Sequence, residues 1–388
     1  MAVTGAAYTE IKLGANTVAN GGNYVFRAPS DNYYTFTYEN PADPTDTYVI
    51  GSASLEANET YECEASDYLS SVEPGKEVTL RVTAREVKGS VTAAEAGNPI
   101  KLASTQAVWY EFIAPEENRY TFSFEAKDGK AVTVSRATSL MDTYLYPLSN
   151  NQDIVLKADE KIYLIVSSDD ATAEAPVEVT LKITKREMAG AAPAAGAPEA
   201  EVKFTKAGAK YYAFTATTSG FYKFTATAAQ SVELSVFTSI TEASGKVTDN
   251  ASAASVVYYV DANKTIYLKV EPSSVPDGGE VPVKLKTETV TTVLNGADTK
   301  TFTLDENGKI TVYFRITDPV DWSQYKITVI PGEDGMGVTI DSSRIDGNGS
   351  VWDYNIYKYD SKPLTGKIEL RRYTGTGTSL EVKITKEA

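Results

Sequence analysis

Two short aromatic segments, Tyr24-Val25-Phe26 and Tyr34-Thr35-Phe36, return as Tyr110-Glu111-Phe112 and Tyr120-Thr121-Phe122. They return again as Tyr212-Ala213-Phe214 and Tyr222-Lys223-Phe224, and in weaker form as Val312-Tyr313-Phe314 and Tyr325-Lys326-Ile327. Four copies in 388 residues give about 97 residues each. That period is too long for one solenoid unit and suits a small domain that buries its own core. The first three copies keep eight residues between the Phe and the following Tyr, as in Phe26 to Tyr34, whereas Phe314 and Tyr325 stand eleven apart.

Within a copy the pattern is alternation. Tyr120, Phe122 and Phe124 fall on one side, with Thr121, Ser123 and Glu125 on the other. Val177, Val179, Leu181 and Ile183 alternate with Glu178, Thr180, Lys182 and Thr184. A period of two with one apolar face predicts half-buried antiparallel strands, and no helical stripe competes with it. An opening strand aligns Ile11, Ile100, Val202 and Phe302, and a closing strand aligns Leu80, Leu181, Val283 and Val382. Six to eight short strands per copy predict an all-β chain of four tandem jelly-roll or Greek-key β-sandwiches of about 90–100 residues. The boundaries fall at residues 1–88, 89–188, 201–289 and 290–388. Residues 189–200, made mostly of Ala, Gly and Pro, are expected to be a mobile or semi-extended spacer, leaving stiff pairs on either side.

Composition removes whole classes of chemistry. The chain has no histidine, so the commonest general base, the usual zinc ligand and every histidine-containing triad are excluded. The single Cys63 cannot form an intrachain disulfide, and its strand position favours a structural thiol over a reactive one. Net charge is −15, with 6 basic and 13 acidic side chains in residues 1–88 against 12 and 14 in residues 290–388. No copy is basic enough to neutralise phosphates, so nucleic acid is not an expected partner. No run of 18 apolar residues suggests a membrane span. The first residues, Met-Ala-Val-Thr-Gly, carry no basic and apolar leader, and the reading adopted is a trimmed extracellular or bacterial cell-surface protein.

The segment Tyr110-Glu111-Phe112-Ile113-Ala114-Pro115, its partner Tyr120-Thr121-Phe122 and the Ile266–Val270 strand resemble the bacterial pre-peptidase C-terminal domain family. The acidic aromatic strand of that family has its nearest match in Asp142-Thr143-Tyr144-Leu145-Tyr146, in the second copy alone. The resemblance implies small jelly-roll-like sandwiches that occur beside secreted catalytic modules or in tandem on surface proteins. It implies a scaffold more than an activity.

No residue set points to catalysis. Ser323-x-x-Lys326 has the serine–lysine acylase spacing but opens an alternating strand, with no oxyanion motif beside it. Trp109 and the aligned Tyr211 alternate away from the core Phe and are candidate stacking platforms for sugar rings, as is Trp322 in the longer turn of the fourth copy. Trp352 alternates in phase with Tyr354 and Ile356 and is expected in the core. Asp346, Asn348 and Asp305 are weak calcium candidates, because oxygen ligands cluster there, although the sequences fit Asn-Gly turns better. The expectation is a non-enzymatic structural or adhesive multidomain protein with no required cofactor. Its partners would be other surface proteins, glycans or further copies of itself. A carbohydrate- or ligand-binding array and a subunit of an extracellular filament or surface layer are the alternatives.

Overall fold

The structure, a computed structural model, describes residues 8–40, 43–64, 73, 75–320, 322–333, 336–346, 349–352 and 355–387. For residues 40, 43–47, 63–64, 342–346 and 349–352 only the backbone is described. Strands dominate, and one three-residue 3₁₀ turn, Lys127–Gly129, is the sole helical element among the described residues. The chain divides into two compact units, Met1–Lys185 and Arg186–Ala388.

Four clusters of buried apolar side chains follow the sequence period. One is built on Phe26, Tyr34 and Phe36, and the next on Phe112, Tyr120 and Phe122. A third is built on Phe214, Tyr222 and Phe224, and the fourth on Phe314, Tyr325 and Ile327. Each cluster takes its buried residues from a single repeat. The recurring aromatics therefore fill the cores, because they sit on the inward face of alternating strands.

In the first unit each repeat contributes two sheets. The second repeat has a five-stranded sheet in the order Tyr146–Pro147, Thr133–Ala137, Lys161–Ser167, Val108–Ile113, Val87–Val91. Its four-stranded sheet runs Gln152–Leu156, Asn118–Ala126, Val177–Lys185, Ala94–Leu102. The sheets are mixed. Val87–Val91 runs parallel to Val108–Ile113, as Thr9–Ile11 does to Asn23–Arg27, Met188–Ala191 to Lys210–Thr215 and Val293–Asn295 to Lys309–Ile316.

This parallel strand corrects two expectations. Ile11 does not correspond to Ile100. Ile11 lies opposite Phe26 in a parallel pair, whereas Ile100 lies opposite Val179 in an antiparallel one, and the counterpart of Ile100 is Val18, opposite Val78. Alternation repeats every two residues, so sequence alone cannot distinguish one short apolar strand from the next. The Ala-rich tract is also not a spacer along its whole length, since Met188–Ala191 is the parallel strand of the third repeat and Ala200 opens the strand Ala200–Phe204.

The third repeat departs from the paired-sheet plan. One 18-residue strand, Gly220–Phe237, pairs with Val281–Thr289 in its first half and with Thr265–Pro272 in its second, so its sheets join through an irregularity between Thr227 and Val232. The second repeat breaks at the same place, where Asp128 and Gly129 take positive φ of 63° and 67°. The aligned Ala228-Ala229-Gln230-Ser231 contains no such breaker, so the strand continues.

The repeated Tyr has a second role. Its hydroxyl donates to the backbone oxygen four residues earlier, from Tyr34 to Ser30 at 2.7 Å, Tyr120 to Glu116 at 2.8 Å and Tyr222 to Thr218 at 2.6 Å. In the fourth repeat, where the turn is longer, Tyr325 donates to the Asp318 carboxylate at 2.7 Å. Lys386 pairs with the same carboxylate. Lys386, the Tyr325 hydroxyl and the Val320 amide hold the Asp318 carboxyl well below its ordinary value. A depressed carboxylate pKa stabilises the fold above the unfolded value near pH 4 and loses that contribution as pH falls below it. Asp318→Asn is therefore expected to lower the melting temperature at pH 7, and the difference from the parent chain should shrink below pH 3. An equal difference at both pH values would refute this account.

Candidate functional site

Trp109 points away from Phe112, as its phase requires, but it is not a platform. It is 7% exposed and packs in a separate cluster with Ala137, Tyr163 and Ile165 on the outer face of the five-stranded sheet. The residue that covers it is Arg85, at the end of the first repeat's closing strand. The guanidinium lies 4.1 Å from the Tyr33 ring centre and 4.5 Å from that of Trp109. Its Nη1 donates to the carbonyl of Leu140 at 2.7 Å and to that of Asp142. The Ser54 hydroxyl donates to the carbonyl of Met141 at 2.5 Å. Burial pulls the pKa of Arg85 below the usual arginine value, partly offset by Tyr33 and the Asp142 carboxylate, and arginine stays charged. The first repeat is thus pinned to a loop of the second by a stacked, hydrogen-bonded cation.

That loop is prepared for the contact. The Asp142 carboxylate accepts from the Thr138 amide at 2.7 Å, the Thr138 hydroxyl at 3.0 Å and the Ser139 amide at 3.1 Å. Burial works against its charge, and these donors outweigh it, leaving the carboxyl below its ordinary value. The closed turn directs the carbonyls of Leu140 and Asp142 at Arg85.

The second unit repeats the device. Arg186 lies 5.0 Å from the Tyr211 ring centre and 4.9 Å from that of Phe237, and its Nη1 donates to the carbonyl of Ile240 at 2.6 Å. Tyr211 is 5% exposed, so it too is withdrawn from the role of platform. Glu242 closes this loop through Thr238 and Ser239, as Asp142 does through Thr138 and Ser139. The sequence carried a signal for this arrangement. Thr138-Ser139-Leu140-Met141-Asp142 recurs one hundred positions later as Thr238-Ser239-Ile240-Thr241-Glu242, and Arg85 recurs as Arg186. The next equivalent position is Glu288. There the third and fourth repeats meet through Phe221 and Tyr313, with ring centres 5.5 Å apart, and through Arg315 stacked 4.0 Å from the Tyr259 ring.

Trp322 is the predicted platform that stays in solvent, 78% exposed at a left-handed φ of 58°. A bulky side chain rarely adopts that conformation. Its ring centre lies 5.1 Å from that of exposed Tyr359. Tyr144 and Tyr146 form a second exposed pair at 5.0 Å, with Arg136 at 5.3 Å from Tyr146. Asp305 closes a turn, accepting from the amides of Asn307 at 2.9 Å and Lys309 at 2.8 Å, with Gly308 at φ 70°. Asn348 and the side chains of Asp346, Cys63 and Trp352 lie outside the described residues. Among the described residues no group of three or more Asp, Glu or Cys side chains is arranged to hold a metal ion. No described helix is long and apolar enough to cross a membrane.

No protein-family model matches the chain, and no curated protein does. Among solved structures, it is similar to tripeptidyl peptidase 2 at a TM-score of 0.21 and 7% identity, covering 78% of this chain and 33% of that one. It is similar to the triple jelly-roll turret protein of an archaeal virus at a TM-score of 0.16 and 9% identity, covering 92% and 90%. It is also similar to the tandem CBM22 domains of Paenibacillus barcinonensis Xyn10C at a TM-score of 0.14 and 13% identity, covering 56% and 87%. Likeness at this level carries no argument about function.

Proposed function

We propose that the chain is a non-enzymatic extracellular bacterial spacer, built of four tandem jelly-roll or Greek-key sandwiches that resemble pre-peptidase C-terminal domains. The observation that carries this reading is the use made of Arg85. A cation stacked on two rings and bonded to two carbonyls resists hinge motion between the first and second repeats. Side chains that could have formed a binding surface, Trp109 and Tyr211, are used for packing and stiffness instead. Four separate cores fit a chain that yields to force by unfolding one repeat at a time.

Single-molecule stretching of the full chain tests the reading. Each repeat of about 97 residues should release roughly 320–350 Å of contour length in its own step. Extension without resisted steps would overturn it, as would turnover of any substrate that a point substitution abolishes. A second reading, adhesion to glycans, rests on the exposed Trp322–Tyr359 pair, since aromatic faces stack on sugar rings. On a glycan array this reading requires a signal that Trp322→Ala removes.

A further inference from the structure

We infer that the cleft at the meeting of the third and fourth repeats, inside the second unit, is a binding site for a small carboxylate-bearing ligand. The cleft has a volume of about 530 Å³. Its walls come from Val247–Val260 and Thr265–Pro272 on one side, and from Lys309–Ile316 and the start of Leu364–Thr374 on the other. Arg315, Lys264 and Lys362 line it against one carboxylate, Asp261. A local excess of two positive charges is unusual in a chain of net charge −15. It places a local positive potential in a chain whose net charge is negative.

Arg315 has donors to spare. Its face rests on Tyr259, and Nη2 reaches Asp261 Oδ1 at 3.3 Å, a long contact to a carboxylate that is itself half in solvent. Its Nε is buried with no hydrogen-bond partner. The two Nη groups at the end of a guanidinium form a planar fork that a carboxylate accepts with both oxygens. Lys264 and Lys362 are exposed, and neither ammonium has an ion-pair partner among the described residues, whereas Lys203, Lys246, Lys269 and Lys286 are each paired with a Glu. The lysines can therefore swing onto a ligand without breaking a contact. The volume of the cleft suits a ligand of about one or two sugar rings in size.

The test is titration of the full chain, followed by NMR chemical shifts, with galacturonic acid, neutral galactose and glutarate. Saturable shifts with galacturonic acid and none with galactose are expected. A response to glutarate as well would mean that the carboxylate suffices, and its absence would mean that the sugar ring is also read. Either result fits the proposal. The Lys264→Ala, Lys362→Ala double variant changes two exposed side chains and should bind several-fold more weakly. Arg315→Gln should weaken binding tenfold or more. The proposal falls if galactose competes equally, if no acid binds, or if folded Arg315→Gln retains parental affinity. None of these results bears on whether the repeats unfold in separate steps, so the spacer reading stands or falls independently.

Discussion

Arg85→Ala should loosen the first unit at its middle by about 2–4 kcal/mol, while leaving both of its cores folded. The figure combines the loss of charge-assisted hydrogen bonds to the carbonyls of Leu140 and Asp142 with the loss of two cation–π contacts. Both carbonyls stay fixed by the Asp142-closed turn and cannot turn aside to find another donor. Trp109 loses the cover that keeps it 7% exposed. Spin labels on exposed Glu56 and Lys157, introduced as Glu56→Cys and Lys157→Cys in a Cys63→Ser background, report the distance between the two repeats. The parent should give one narrow distance distribution and Arg85→Ala a broad one. Arg85→Lys should lie close to Arg85→Ala, because an ammonium lacks the planar fork and stacks poorly. A distribution of the same width in all three would show that apolar contact alone holds the joint.

Phe112→Ala should cost the second repeat about 3–5 kcal/mol, the range for deleting a buried aromatic side chain. Phe112 is fully buried and meets Tyr120 and Phe122 edge-on, with ring centres 5.4 and 5.7 Å away. The location of the loss is as informative as its size. Hydrogen exchange of the full chain should speed up across the strands around residues 91–183. The core built on Phe314, Ile316 and Ile327 should keep its protection, because it shares no buried residue with the damaged one. A uniform loss of protection along all four repeats would show one cooperative structure in place of separate cores.

Much of the interior was legible from local pattern. The alternation of Tyr120, Phe122 and Phe124 identified a strand with an inward face, and the copies of that face mark the four clusters. The outward face was harder to read. Trp109 and Tyr211 were assigned the correct side of their strands, yet neither reaches solvent. What covers Trp109 is Arg85, 24 positions earlier, and what fixes Arg85 is a loop more than 50 positions later. Trp322 was found by the three added residues of its turn, but its partner Tyr359 lies 37 positions on and carried no signal of its own. The cationic cleft left no motif at all, since Asp261 and Lys264, Arg315, and Lys362 stand on three separate segments.

From its residues alone this chain had its all-β character, its fourfold repetition, the aromatic content of its cores and the absence of histidine chemistry. Each of these follows from neighbours a few positions apart, or from composition, where one residue's preference does not depend on distant partners. Only the folded chain decided which strands run parallel, that Met188–Ala191 joins a sheet, that two aromatics are roofed by arginines, and that three cations converge on one cleft. Those outcomes depend on segments brought together from far along the chain. Alternation with period two is satisfied equally well by many such pairings, so packing between distant segments makes the choice.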